Sequence, residues 1–216
     1  MRLAIVSVSC VQVSEHVRAI EHTAQELPFI CDRVLLSCEP PATHCDVDWV
    51  PIERIDSVEA YSRFIMFRLK DYVSTPFTLV VQADGYALDG RNWTDEFLDY
   101  DYIGAPWPMW HCRSLRYRVG NGGFSLRSSR WNEAVSKLPD PGSTAEDWFC
   151  CVKHRTKLKG MRIAPVPLAL RFSCEHRLPT HPLWKDRQSF GFHGRNHTLE
   201  RLALKFWGRM GLGRTY

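Results

Sequence analysis

Phe77-Thr78-Leu79-Val80-Val81-Gln82-Ala83-Asp84-Gly85 is the stretch whose reading decides the fold. Its first five residues are apolar or β-branched and uncharged, which suits a strand covered on both faces. It ends at Ala83-Asp84-Gly85, a turn signal. A parallel sheet with crossover helices covers both faces of its strands, and the segments upstream fit that plan. Leu3 to Ser9 is a β-branched run. Glu15 to Leu27 reads as a helix, with Ser14 as its N-cap. Arg33 to Ser37 holds Val34, Leu35 and Leu36 and reads as a buried strand, and Trp49 to Ile52 as a weaker one. From Ser57 onward, Tyr61, Phe64, Ile65, Phe67 and Leu69 recur three and four apart, the spacing of a helix. Strand and helix thus alternate up to Gln82. Ligands of such sheets sit at the carboxyl ends of the strands, and Asp84 is placed there.

Downstream the pattern loosens. Tyr100 to Trp107 is aromatic and stops at Pro106 and Pro108. Arg118 to Arg127 carries Gly120, Gly122 and Gly123, then a strand-like Phe-Ser-Leu. Ser143 to Lys157 reads as a helix with Glu146 and Asp147 in its first turn. Met161 to Ala169, with Pro165 and Pro167, reads as extended. Phe190 to Gly194 is a glycine-punctuated loop, and Leu199 to Met210 a final helix. This gives one domain over residues 1–197 and a basic amphipathic helix over 198–216.

Composition narrows the class. The 216 residues are 44% hydrophobic and 24% charged, which excludes global disorder. A net charge of +4 is too mild to argue by itself for nucleic acid. No apolar run is long enough to span a membrane. Residues 1–13 hold one Arg and a short apolar stretch, but Val, Ile and Ser alternate there and no small-residue cleavage site follows, so they read as the first strand. The eight cysteines include Cys31, Cys38 and Cys45 at seven-residue spacing and the adjacent Cys150 and Cys151. Neither spacing suits a zinc site, and the set reads as buried free thiols of a reducing cytoplasm.

Four segments carry chemistry. Asp84 at a strand end can hold a divalent cation against a diphosphate, with Gly85 letting the backbone pass close, or it can simply make an Asp-Gly turn. Gly120-Asn121-Gly122-Gly123 permits close backbone approach to a ligand, or forms a glycine-rich hairpin. It matches neither a Walker loop nor a dinucleotide fingerprint. Glu146-Asp147 satisfies a helix dipole, or supplies a general base beside the Trp148-Phe149 aromatic wall. His193, between Gly191 and Gly194, is a metal ligand or a structural histidine, and Arg195 can pair with phosphate.

Taken in order, these blocks, with Trp93, Phe97-Leu98, Asp101-Tyr102-Ile103-Gly104-Ala105-Pro106-Trp107, Gly120 to Arg127 and Phe172-Ser173-Cys174-Glu175, resemble a glycosyltransferase-like domain family of the GT-A type over roughly residues 58 to 194. The resemblance implies an α/β, Rossmann-like, mainly parallel sheet with an irregular acceptor-side half. It implies transfer of a sugar from a nucleotide-sugar, a UDP-sugar first among them, to a glycan or lipid-linked hydroxyl, assisted by Mn²⁺ or Mg²⁺ and inverting. In such enzymes a strand-end Asp-x-Asp holds the metal; here Gln82 takes the first place and only Asp84 matches. By the same pattern His193 completes the metal site, Asp147 is the catalytic base and Glu146 an acceptor or sugar contact. Gln82, Gly85, Asn121, Gly122, Gly123 and Arg195 line the donor.

Two rivals stand beside this. The mild basic excess and many aromatics suit glycosylation of a modified nucleic-acid base. Gln82 also suits a non-catalytic nucleotide-sugar-binding module. In the tail, Arg201, Lys205 and Arg209 recur every four residues beside an apolar face, so the helix either packs on the domain or lies on an anionic membrane. The expected location is cytoplasmic, with peripheral membrane contact as an addition.

Overall fold

Strands β1 (Leu3–Val8), β2 (Asp32–Ser37), β3 (Asp48–Pro51), β4 (Phe77–Val80), β5 (Tyr102–Gly104) and β6 (Ser125–Ser128) form one sheet in the order β3-β2-β1-β4-β6-β5. The computed structural model describes residues 3–108, 111–112, 118–175 and 189–194. Arg195 and the basic helix expected over 198–216 lie outside the described residues. β1 runs parallel to β2 and β4, and β2 parallel to β3. β6 is antiparallel to both its neighbours, β4 and β5. The sheet is therefore mainly parallel, as expected, with one reversed strand let in beside β4.

Helices α1 (Val13–Glu26) and α2 (Val58–Phe67) are the crossovers, and α3 (Ser129–Val135) follows β6. All six residues of β1 are buried, as a strand with helices on both faces requires. Its alternation sorts the core: Leu3 and Ile5 join Val17 and Ile20 of α1, whereas Ala4, Val6 and Val8 join Ile65 of α2. Ser57, where the helical signal begins, caps α2 by accepting from the Ala60 N–H at 3.1 Å. The expected cap of α1 is corrected. The helix begins at Val13, Ser14 lies inside it, and Gln12 stands at the boundary in the left-handed region with φ 50°.

Two downstream segments also differ from expectation. Residues 143–157 are not one helix. Ala145 is extended, and α4 (Glu146–Trp148) is a single turn that widens into a π turn over Phe149–Lys153 and a 3₁₀ turn over Arg155–Lys157. The Glu146 and Asp147 carboxylates accept the N–H groups of Asp147 and Trp148, so the acids themselves satisfy the donors a Ser or Thr cap would have taken. Residues 161–169 are extended only at first. Ile163 bridges to Tyr102, and then Pro165 and Pro167 start α5 (Val166–Phe172). Proline suits a first helical turn, where its missing N–H has no intrahelical partner to lose.

A short parallel pair, β7 (Ser173–Cys174) and β8 (Gly191–Phe192), closes the described chain. Phe124 stacks on Phe172 at 5.1 Å between ring centres, and Phe97 meets Phe172 edge-on at 5.2 Å. These buried rings fix α5, and with it the position of β7. Cys10, Cys112, Cys150, Cys151 and Cys174 are buried, and Cys31, Cys38 and Cys45 half-buried. Among the described residues no helix is long and apolar enough to cross a membrane.

Candidate active site

The carboxyl end of β4 carries the site. After Val81 the chain folds into a tight turn: the Gln82 N–H donates to the Gly85 carbonyl at 2.8 Å, and the Gly85 N–H to the Gln82 carbonyl at 3.0 Å. The chain following β8 is sewn onto this turn. The Phe192 N–H donates to the Tyr86 carbonyl, the Gly194 N–H to the Asp84 carbonyl, and the His193 N–H to the Cys174 carbonyl. Segments 82–86, 173–175 and 190–194 thus form one rigid unit, and His193 is set by backbone bonds on both sides.

The imidazole lies between two glycines. A β-carbon on Gly123 would stand 2.0 Å from His193 Nε2, and one on Gly85 would stand 2.7 Å from its Cδ2. Both positions therefore demand glycine for close approach. His193 Nε2 is 3.0 Å from Gln82 Oε1 and 3.8 Å from Asp84 Oδ1, while Nδ1, on the far side of the ring, is 3.8 Å from Glu175 Oε1. Burial pulls the His193 pKa down, but its interaction with Glu175 and the charges of Asp84, Glu175 and Asp147 outweigh that, and the net direction is up. Beneath the turn, Ser7 Oγ bonds His16 Nδ1 at 2.6 Å and donates to the Val81 carbonyl at 2.8 Å. Burial lowers His16 to about 4 against the opposing charge of Asp84, so this imidazole is neutral.

The glycine loop links this pole to the acidic pair. Gly122 N–H donates to Asp147 Oδ2 at 3.0 Å, and Trp148 N–H to Oδ1 at 2.6 Å. Asp147 is half-buried, and its pKa is raised to about 7, first by burial and then by the charge of Glu146, against the two N–H donors and Arg127. A carboxylate near neutrality can take a proton at working pH. Asn121 takes the left-handed region at φ 61°, and both polar atoms of its side chain are buried with no hydrogen-bond partner among the described residues. Trp148 and the ring of Trp107 lie 5.3 Å apart, extending an aromatic wall beyond Asp147.

Glu146 is where the site departs from expectation. Instead of facing a sugar, it is 5% exposed and pairs with Arg127 Nη2 at 2.6 Å. Arg127 also donates to the Gly122 carbonyl at 3.2 Å and, through Nε, to Ser125 Oγ at 2.9 Å. The pair lies directly under the loop, since a β-carbon on Gly122 would fall 2.0 Å from Glu146 Oε1. Arg127 and Glu175 were missed as site residues. Arg127 stands in the glycine-rich block and Glu175 closes the Phe-Ser-Cys-Glu block, but nothing in their spacing shows which way either faces.

Gln82, Asp84 and His193 fit a divalent cation shared with a substrate. Neighbouring donors of an octahedral Mg²⁺ stand about 3 Å apart, close to the spacing of Gln82 Oε1 and His193 Nε2. Nδ1 is buried with no hydrogen-bond partner among the described residues and stands 3.8 Å from Glu175 Oε1, short of the hydrogen bond that a ligating imidazole makes from its other nitrogen. Among the described residues no three His, Cys, Asp or Glu side chains form a metal cluster. A divalent cation on Gln82, Asp84 and His193 would take its remaining ligands from phosphate and water, the habit of Mg²⁺.

Residues 44–193 match the family described as "Protein of unknown function (DUF5672)". The chain belongs to that family. The DUF5672 match spans the glycine loop and the acidic pair and ends on His193. Among curated proteins nothing matches. In structure, this DUF5672 chain is similar to a mannosyltransferase of Pyrobaculum calidifontis in complex with GDP-Man and Mn²⁺, at 9% identity and TM-score 0.52 over 76% of this chain and 54% of that one. It thus spans about half the length of that enzyme. It is also similar to galactosyltransferase LgtC in complex with donor and acceptor sugar analogs, at 14% identity and TM-score 0.51 over 100% of this chain and 97% of that one. Glycosyltransferase GlyE of Streptococcus pneumoniae in its apo form matches at 10% identity and TM-score 0.50, over 97% and 64%. The mixed α/β domain with its mainly parallel sheet is therefore the GT-A glycosyltransferase fold.

Proposed function

We propose that this domain transfers a sugar from a nucleotide-sugar to an acceptor hydroxyl, with Asp147 as general base and the Gln82–Asp84–His193 cluster facing the donor diphosphate. One observation carries the reading. The carboxylate poised to accept a proton and the histidine–aspartate pole are held by adjacent residues of one loop, Gly122 on Asp147 and Gly123 on His193. Glycosyl transfer needs those two charges managed together: a proton leaves the nucleophile as negative charge grows on the departing phosphate.

In this reading the acceptor oxygen attacks the anomeric carbon, the bond from that carbon to the diphosphate oxygen breaks, and the acceptor proton passes to Asp147 Oδ. A single displacement inverts the anomeric centre. Asn121 offers its buried amide to donor hydroxyls, and the glycine backbone lets the donor lie close. The Arg127–Glu146 pair, buried beneath, holds the loop and keeps Glu146 away from the acceptor. A divalent cation held by Gln82, Asp84 and His193 would neutralise charge on the leaving diphosphate. Trp148, backed by the buried Trp107, presents a face suited to a saccharide acceptor.

The test is a screen of nucleotide-sugars against mixed saccharide and lipid-linked acceptors, reading nucleoside diphosphate release and product mass. Product formation that Asp147→Asn abolishes supports the assignment. Retention of configuration in the product would remove Asp147 as the base for the acceptor.

A further inference from the structure

Parallel strands β1 and β2 pair in constant register, from Ala4 with Asp32 to Val8 with Leu36. The ladder runs on past the strand ends, since the Ser9 N–H donates to the Leu36 carbonyl at 3.0 Å. Two residues further in that register stand Cys10 and Cys38, 28 positions apart like every pair before them. Register partners on neighbouring strands have α-carbons about 4.8 Å apart, inside the range of about 4.4–6.8 Å that a disulfide spans. Alternation puts both side chains on the face of Val8 and Leu36, the face that α2 covers. There the Cys38 N–H donates to Cys10 Sγ at 3.2 Å, and the Ile55 N–H donates to the same sulfur at 3.2 Å. The Cys10 sulfur is thus held by backbone from two neighbouring loops and aimed at Cys38. By spacing in the chain Cys38 groups with Cys31 and Cys45, but the fold sets it against Cys10.

We propose that Cys10 and Cys38 are a dithiol pair that closes to a reversible disulfide, with a low-molecular-weight disulfide such as oxidised glutathione as its oxidant. The two differ in access: Cys10 is buried, whereas Cys38 is half-buried and meets the oxidant first. Arg54 Nη1 stands 4.0 Å from Cys38 Sγ and favours its thiolate, the reactive form. Contact with the Cys10 thiol and burial outweigh that cation, so the net direction of the Cys38 pKa is up and exchange is slow in neutral buffer. The Cys38 thiolate attacks one sulfur of glutathione disulfide, breaking that S–S bond and releasing one glutathione thiolate. Cys10 Sγ, as thiolate, then attacks Cys38 Sγ and expels the second glutathione. The protein pair loses two electrons, glutathione disulfide gains them, and the two thiol protons pass to the released glutathione. The link joins the loops that follow β1 and β2, at the carboxyl edge of the sheet, where the adjacent β4 carries the Gln82–Asp84 turn. The pair is independent of the glycosyl-transfer reading.

The experiment equilibrates the full chain with oxidised or reduced glutathione in mildly alkaline buffer, alkylates and digests it, and reads the sulfur linkages by mass spectrometry. The oxidised wild type is expected to lose two alkylatable thiols and to yield a Cys10–Cys38 linked peptide free of bound glutathione. Excess reduced dithiothreitol is expected to return both thiols. Cys10→Ser keeps a small acceptor for the Cys38 and Ile55 N–H groups. It is expected to stop at a glutathione adduct on Cys38, because the sulfur that would expel it is gone. Absence of the Cys10–Cys38 peptide from the wild type, a link from Cys38 to Cys31 or Cys45 in its place, or a lasting glutathione adduct on wild-type Cys38 overturns the assignment. An oxidised wild type whose circular dichroism spectrum is no longer native also overturns it, since the link would then belong to an unfolded chain.

Discussion

Replacing Asp147 by Asn should make the protein more stable at neutral pH and nearly inactive. The folded carboxyl titrates at about 7 against an ordinary value of 3.8, so the fold favours its protonated form. The sign follows from linkage: below the unfolded pKa both states are protonated and the fold loses nothing. As pH rises from about 4 through about 7 the unfolded chain releases its proton first, and stability falls until the folded group also ionises. Moving the carboxyl from 3.8 to about 7 corresponds to about 4 kcal/mol, and screening at a half-buried group reduces this to about 2 kcal/mol. Asn has no such loss. Like the neutral acid, it keeps one carbonyl oxygen where the carboxylate uses two, Oδ2 for the Gly122 N–H and Oδ1 for the Trp148 N–H. The two proteins should therefore melt together near pH 4, and the variant should melt about 4–8 °C higher near pH 8. Thermal unfolding at a series of pH values, read by circular dichroism, measures the gap, while turnover should fall about 10²- to 10⁴-fold. A gap that does not change with pH, or a variant less stable at pH 8, would refute the claim that burial strains this carboxylate.

The remaining expectations concern its neighbours. Wild-type transfer should rise with pH and level off above about 7, the value of Asp147, in a pH–rate profile. Asp84→Ala and His193→Ala should each abolish metal-dependent transfer while the circular dichroism spectrum stays native; full activity with metal still required would separate the two residues. Gly123→Ala places a methyl 2.0 Å from His193 Nε2 and should weaken nucleoside diphosphate binding more than tenfold by calorimetry. Arg127→Met leaves Glu146 charged and buried without its partner and should cost about 3–5 kcal/mol in denaturant unfolding. Adding Glu146→Leu to that variant should return most of it.

The parallel half of the fold was legible because its signals are local. β1 and β4 read as apolar runs, α2 shows helical spacing from Ser57 onward, and Asp84 follows from the end of a strand. What failed was decided by contacts that spacing does not encode. Ser143 to Lys157 has the composition of a helix, but the carboxylates of Glu146 and Asp147 take the first-turn N–H groups and the chain then widens at Phe149. Pro165 and Pro167 suggested extended chain, yet both stand where a helix tolerates them. The acidic pair was found as a pair, but two adjacent residues point in different directions. Only Arg127, arriving from β6, shows that Glu146 turns inward and Asp147 outward. Glu175 was invisible as a site residue because its meaning lies in His193, across the β7–β8 pair.

The contact between Gln82 and His193 joins residues 111 positions apart in the chain. A ribosome adding about 5–20 residues per second takes roughly 6 to 22 s to cover that interval. Throughout it the strands through β4 can pair, while the turn at Gln82 lacks its histidine and the loop at Gly123 lacks what it packs against. On the proposed reading, the nascent chain lacks a complete donor site until nearly the whole described domain has emerged. Premature termination between β4 and His193 would leave the strands of the parallel half without the histidine of the proposed donor site.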